Sequence, residues 1–188
     1  MSKSLLVIIS SPSGGGKDTV IGELLKCIPR SARLVTTTTR APRPGDQEGV
    51  NYFFVSENAF KRRIEAGELL EYNFYAGNYY GSEKSVLETA LAKYDVVFSN
   101  IEVNGKHNLD ILGVKNVSFF LYPESMKVLK KRIEKRGGVT PEMMVERLKI
   151  AEEEVEKSQD YDYRFVNAEG KVNEVVEKIE KIIKERLK

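Results

Sequence analysis

The chain has no apolar run approaching the ~18 residues that a membrane-spanning helix needs. Its longest clear one, at 5–9, is ended by Ser10, Ser11 and Pro12, and is too short for the hydrophobic core of a secretory signal. A single cysteine, Cys27, leaves no internal disulfide to form, so nothing points to an oxidising compartment. No sign of charge dominates either: 30 Lys and Arg against 28 Asp and Glu give a net charge of +2. That balance gives no general polyanion-binding signal and makes any anion site local. Repeats, low-complexity tracts and linkers are missing, and 188 residues suit one domain, or one domain with an insertion. What is present suits a globular chain. Hydrophobic residues make up 41% and charged residues 31%, against a usual charged share of about 25%, which gives a core under a well-solvated surface. The expectation is a soluble, cytoplasmic protein with no nucleic-acid, membrane or obligate protein partner.

Short β-branched runs at 5–9, 52–55, 96–98 and 117–121, with a weaker one at 164–166, alternate with amphipathic stretches. Toward the C-terminus Val172, Val175, Ile179, Ile182 and Leu187 form an apolar stripe at helical spacing. A helix over 141–156 is signalled by Thr140 as N-cap and Pro141 in the first turn, with Met144, Leu148, Ala151 and Val155 along one face. The alternation predicts an α/β fold of three layers, a parallel core sheet covered by helices on both sides. Residues 36–82 break the rhythm. They read as a Pro- and Arg-rich loop, a strand-like 50–56, a short helix near 57–66, a strand-like 69–75, and Gly77-Asn78-Tyr79-Tyr80-Gly81-Ser82. Close strands without helical crossovers predict a small, partly antiparallel insertion, and such insertions often carry the substrate site.

Directly after the first strand comes Ser11-Pro12-Ser13-Gly14-Gly15-Gly16-Lys17-Asp18-Thr19, followed by a helical stretch at 20–25. Glycine-rich sequence between strand and helix, ending in lysine, is the pattern of a phosphate-binding loop. Backbone N–H groups wrap the phosphate, the helix N-terminus adds partial positive charge, and Lys17 adds a full one. Ser11 stands where the pattern has its first Gly, and Asp18 where it has Ser or Thr. Asp18 and Thr19 are therefore the candidates for a Mg²⁺ site, Asp18 either ligating the ion or repelling the nucleotide. The bland alternative is a flexible Ser/Gly connection.

A second anion site is written in Thr36-Thr37-Thr38-Thr39-Arg40-Ala41-Pro42-Arg43-Pro44-Gly45. Pro42 and Pro44 favour extended backbone with a repeat of ~3 residues, which points Arg40 and Arg43 the same way. Two guanidinium forks on one side can grip one phosphate; the alternative is a solvated basic loop. A triphosphate cradle with a separate two-arginine clamp reads as donor and acceptor sites of a kinase for a phosphorylated substrate.

Over nearly its whole length the chain resembles the guanylate kinases, P-loop nucleoside monophosphate kinases. The carrying segments are residues 11–19, 36–45 with 49–56, Gly67-Glu68-Leu69-Leu70-Glu71, and 77–82. The resemblance implies a three-layer P-loop kinase fold with core segments 1–35, 83–125 and 159–188, a GMP-binding insertion at about 36–82 and a helical lid at about 126–158. It implies ATP-dependent phosphorylation of GMP to GDP with Mg²⁺. Residues 11–19 would hold ATP. Arg40, Arg43, Tyr52 and Tyr80 would hold the GMP phosphate, the tyrosines donating without adding charge, although each ring could equally serve as packing. Glu71 would accept from guanine N1–H and the exocyclic amine, Thr36 and Ser82 would serve O6 and N7 beside Gly81, and Glu102 would reach the amine.

The family segment usually written acidic-x-Asp-x-Gln-Gly reads here as a continuation of the strand, Asn100-Ile101-Glu102-Val103-Asn104-Gly105. Asn100 thus lacks a charge that could assist Mg²⁺, and Glu102 is one methylene longer than aspartate. Arg132, Arg136 and Arg147 flank Gly137-Gly138 between two helices and match lid arginines that swing over the ATP phosphates. Asn167 matches a position near the adenine. Several lysines crowd this region, so a solvated basic face is the competing reading. No general base is needed, because a phosphate monoester with a second pKa of about 6 is already anionic; the lone His107 reads as a surface residue of a helix. Two rivals stay open: a non-catalytic binding module on this scaffold, and a kinase of another phosphorylated small molecule.

Overall fold

The structure is a computed structural model. It describes residues 4–75 and 77–188, with the backbone alone for Tyr75 and Arg136. In chain order the elements are β1 (Leu5–Ser10), α1 (Lys17–Cys27), β2 (Ser31–Arg33), β3 (Thr36–Thr38), β4 (Tyr52–Phe54), α2 (Glu57–Glu65), β5 (Leu69–Tyr75), β6 (Asn78–Glu83) and α3 (Lys84–Lys93). There follow β7 (Val96–Ser99), α4 (Val103–Ile111), β8 (Val117–Tyr122), α5 (Met126–Arg136), α6 (Pro141–Lys157), β9 (Tyr163–Val166) and α7 (Val172–Arg186).

Five strands in the order β2-β7-β1-β8-β9 form a sheet in which every pairing is parallel. Parallel strands buried on both faces need continuous apolar sequence, and Leu6 to Ile9, Val96 to Phe98 and Phe119 to Leu121 are all buried. One face packs on α1 and α7 through Val20, Ile21, Leu24, Val175, Val176, Ile179 and Ile183. The opposite face packs Leu6, Ile8, Val97 and Phe120 against Leu87, Val103, Leu109 and Tyr161. The expected three-layer α/β arrangement is therefore observed. Each of these large aliphatic side chains contributes about 1.5–3 kcal/mol by leaving water.

Three features differ from the sequence expectation, the first being that the strand-like 50–56 is a strand only over Tyr52–Phe54. The stripe on α7 centres on Ile179 with Val176 and Ile183 buried beside it, while Leu187, expected on that stripe, is 37% exposed. The segment read as one strand from 96 to 105 ends at Ser99, and α4 begins at Val103. By contrast α6 starts as expected, with Thr140 Oγ1 accepting from the Met143 N–H at 3.3 Å and Pro141 in the first turn.

The second sheet, β4-β3-β6-β5, is built wholly from Thr36–Glu83. It is mixed: β3 runs parallel to β4 and antiparallel to β6, and β5 and β6 form an antiparallel pair. The strand β3 is not legible as a strand in the sequence, because three threonines before a Pro/Arg loop show no alternation. Their pairing partners decide it: Thr37 opposite Gly81 and Thr38 opposite Tyr80.

Candidate active site

β1 lies between β7 and β8, where the order of the sheet reverses, and ligands on open α/β sheets bind beyond the carboxyl ends of the strands at such a point. Ser11 to Lys17, Asn100 to Glu102 and Asn167 follow β1, β7 and β9 there. All of these except Gly15 line one cleft of about 1350 Å³ that extends to Glu71 on the second sheet and to Arg43 in the loop between β3 and β4.

The loop after β1 has the shape its glycines require. Gly16 has φ 93° and forms the left-handed N-cap of α1, a conformation that only glycine adopts at no cost. A Cβ on Gly15 would lie 2.7 Å from both Cβ and Oγ of Ser11, so the serine in the first position is accommodated because its neighbour has no side chain. Lys17 Nζ sits 3.5 Å from the Ser11 carbonyl. Asn167 braces the loop from β9: its Nδ2 donates to the Gly15 carbonyl at 2.8 Å, and Oδ1 is buried without a hydrogen-bond partner among the described residues. Arg132 Nη2 donates to the Asn167 carbonyl at 2.9 Å, which docks that arginine beside the loop. Arg147 also faces the cleft; the expectation for the Arg136 side chain lies outside the described residues.

Asp18 has partners that local sequence does not reveal. Its Oδ1 accepts from Arg33 Nη1 at 3.0 Å and from Asn100 Nδ2 at 3.2 Å. Asp18 and Thr19 line the cleft and are exposed. No group of three His, Cys, Asp or Glu side chains able to hold a metal by itself occurs among the described residues.

In the clamp loop, Arg40 is paired with Asp46 at 2.8 Å, both side chains largely buried, and its guanidinium lies 5.3 Å over the ring of Tyr52. Asp46 also accepts from the Arg43 backbone N–H, so one carboxylate shapes the whole loop. The Arg43 side chain is exposed and also faces the cleft. Tyr52 and Tyr80 meet edge-on at 6.0 Å, and burial raises the Tyr52 phenol above its ordinary pKa, keeping it a donor.

At the far end Glu71 is 7% exposed. Ser82 Oγ donates to its Oε1 at 2.6 Å, and Oε2 approaches Gly105 so closely that a Cβ there would lie at 2.9 Å. Burial, followed by the charge of Glu102, lifts Glu71 to about 7, against the opposing bond from Ser82. Ser82 has one hydroxyl proton, and here it goes to Glu71 rather than outward. Thr36 lines the cleft at the start of β3. Sequence reasoning missed three residues near these groups: Arg33, Asn73 and Glu154. Glu154 on α6 is lifted to about 7 by burial and by Glu102, with Lys17 and Lys157 opposing. Asn73 alone carried a signal, being two residues beyond Glu71 on a strand, where side chains share a face.

Residues 3–186 match the family model described as guanylate kinase. The chain belongs to the guanylate kinase family. The guanylate kinase of Desulfitobacterium hafniense is 39% identical over 165 residues, covering 88% of this chain and 82% of that protein. The guanylate kinase of Wolbachia sp. subsp. Brugia malayi is 38% identical over 189 residues, covering 100% and 96%. A crystal structure of guanylate kinase from Anaplasma phagocytophilum superposes with a TM-score of 0.77 at 29% identity, covering 100% of this chain and 88% of that one. The cleft is thus shared between a P-loop and a pocket with buried carboxylate on a family scaffold.

Proposed function

We propose that the protein transfers the γ-phosphoryl group of ATP to GMP, giving ADP and GDP, with the residues of this cleft in the following roles. The observation that carries the reading is the single cleft itself, with a lysine-bearing phosphate loop at one end and the buried acceptor Glu71 at the other. Backbone N–H groups between Ser13 and Lys17 at the start of α1 hold the ATP phosphates, Lys17 and the arginines 132, 136 and 147 stabilise charge on the transferring group, and Asn167, which braces the loop through Gly15, lies near the adenine. Arg40, Arg43, Tyr52 and Tyr80 hold the GMP phosphate. Glu71 and Glu102 accept from the guanine N1–H and amine, and Thr36 serves O6. Ser82 holds Glu71 in place and turns its proton toward the base only if that bond is exchanged.

The chain then divides into a core, a GMP-binding insertion at about 36–82 and a lid at about 126–158 whose closure excludes water. Confinement of the second sheet to Thr36–Glu83 supports that division. The test is a coupled assay with ATP and each of GMP, dGMP, AMP, CMP and UMP. GMP should be the efficient ribonucleotide acceptor; equal turnover of AMP would overturn the assignment.

Mg²⁺ suits the donors at the loop. Asp18 Oδ2 and the Thr19 hydroxyl are hard oxygen ligands, and Mg²⁺ takes one or two carboxylates together with substrate phosphates and water. When bound it would neutralise phosphate charge. Asp18→Ser should raise the Mg²⁺ concentration for half-maximal activity, on the order of tenfold. An unchanged requirement would leave Asp18 as a partner of Arg33 and Asn100 alone.

Arg43→Ala should weaken GMP on the order of 10²-fold with ATP binding unchanged, since a charge-assisted pair is worth about 1.5–3 kcal/mol. Arg40→Ala should cost GMP comparably and also lower Tm, because it leaves the largely buried Asp46 without its ion pair. Equal loss of ATP and GMP binding would place these arginines elsewhere.

A further inference from the structure

β5 presents polar side chains at alternate positions. Glu71 is buried, Asn73 is half-buried, and both line the cleft. Asn73 Nδ2 donates to Oε2 of Glu102, across to the start of α4. The orientation of the amide follows from its partner, since an ionised carboxylate only accepts.

Glu102 has a competing place to go. It is the N-cap residue of α4, with extended backbone at φ −80° and ψ 170°. The N–H groups of a first helical turn attract a carboxylate there. Yet its side chain makes no capping bond. Glutamate has three side-chain torsions to fix, and without a tether the carboxylate would sample the helix end and solvent as well as the cleft. Repulsion between Glu71 and Glu102 adds a push apart. Asn73 counters both with a neutral donor. A lysine or arginine would hold Glu102 as well but would neutralise it; an amide leaves the charge, and Oε1, available to a ligand.

We propose that Asn73 is a positioning residue for acceptor choice: it holds the Glu102 carboxylate toward the exocyclic amine of the base, so that a 2-aminopurine nucleotide is preferred over one without that amine. The proposal rests on GMP being the acceptor, and it assigns the preference for the amine to a bond between β5 and α4.

Asn73→Ala and the isosteric Asn73→Asp are assayed with ATP and either GMP or inosine monophosphate, which lacks the amine. GMP affinity is measured separately by calorimetry without ATP. Wild-type turnover of GMP is read first, and its absence would overturn the acceptor assignment itself. With that established, Asn73→Ala should raise KM and Kd for GMP on the order of tenfold, the scale of ordering one rotamer-rich side chain. kcat at saturating GMP should hold, and kcat/KM for inosine monophosphate should stay within about twofold, because that substrate gains little from Glu102. Asn73→Asp keeps the shape, removes the donor and adds a like charge, so it should lose at least as much selectivity at pH 8. Equal losses with both nucleotides in Asn73→Ala, or wild-type selectivity in Asn73→Asp, would reduce Asn73 to packing and overturn the proposal.

Discussion

Replacing Glu71 with glutamine is expected to lower kcat/KM for GMP by about 2–4 kcal/mol, on the order of 10²-fold or more. Two effects act together. The carboxylate offers two acceptor oxygens to the two neighbouring donors of guanine; the amide keeps one and turns an N–H₂ toward a donor. Because Glu71 is only 7% exposed, water cannot relieve that mismatch, and an unpaired buried donor carries its full desolvation penalty. The variant also disturbs the Ser82 hydroxyl, which donates to Glu71 Oε1 at 2.6 Å.

The same residue should write a pH signature. Burial holds Glu71 at about 7 in the free enzyme, so below that pH it is protonated and has lost half of its accepting capacity. Wild-type kcat/KM for GMP should therefore fall as pH drops through about 7. The GMP phosphate adds a second limb near its own pKa of about 6. Glu71→Gln should lack the upper limb and keep the lower. GMP kinetics within about twofold of wild type in Glu71→Gln would remove Glu71 from the base site.

Lys17→Met is expected to reduce kcat on the order of 10²–10³-fold, the loss found when one preorganised donor to a developing negative charge is removed. Lys17 is the first residue of α1, and among the described residues its ammonium hydrogen-bonds the loop at the Ser11 carbonyl alone, at 3.5 Å. The loop itself is held by other bonds: Gly15 N–H to the Pro12 carbonyl at 2.7 Å and Asn167 to the Gly15 carbonyl. The variant should therefore keep its Tm and much of its ATP affinity while chemistry slows, a split seen by comparing single-turnover rates with nucleotide binding. Parallel collapse of Tm and ATP binding would mean that Lys17 is structural. The mechanism asks little else of the protein, since the acceptor oxygen is already anionic and no side chain has to remove a proton.

How far the sequence alone reached follows from the distance over which each feature is decided. The loop at 11–19 was legible because strand, glycines, lysine and helix are contiguous, and its backbone is shaped by neighbours. The same holds for α6, whose cap at Thr140, proline at 141 and buried face of Met144 and Ala151 lie within helical reach of one another. The parallel sheet could be inferred because only strands buried on both faces need runs as apolar as 5–9 and 117–121.

The side-chain partnerships could not be inferred. Arg40 and Arg43 read as an equal pair, yet Asp46 claims one guanidinium and leaves the other exposed. Asp18 met Arg33 and Asn100, the latter 82 residues away, and Asn73 met Glu102 across 29 residues. Helical and strand periods relate residues a few positions apart, and composition relates none. Residue types and local conformation were thus decided by the sequence itself, down to the glycine-shaped loop between β1 and α1. The tertiary structure alone decided which carboxylate is buried, which is tethered and which is paired, because those depend on what the two sheets bring to the walls of one cleft.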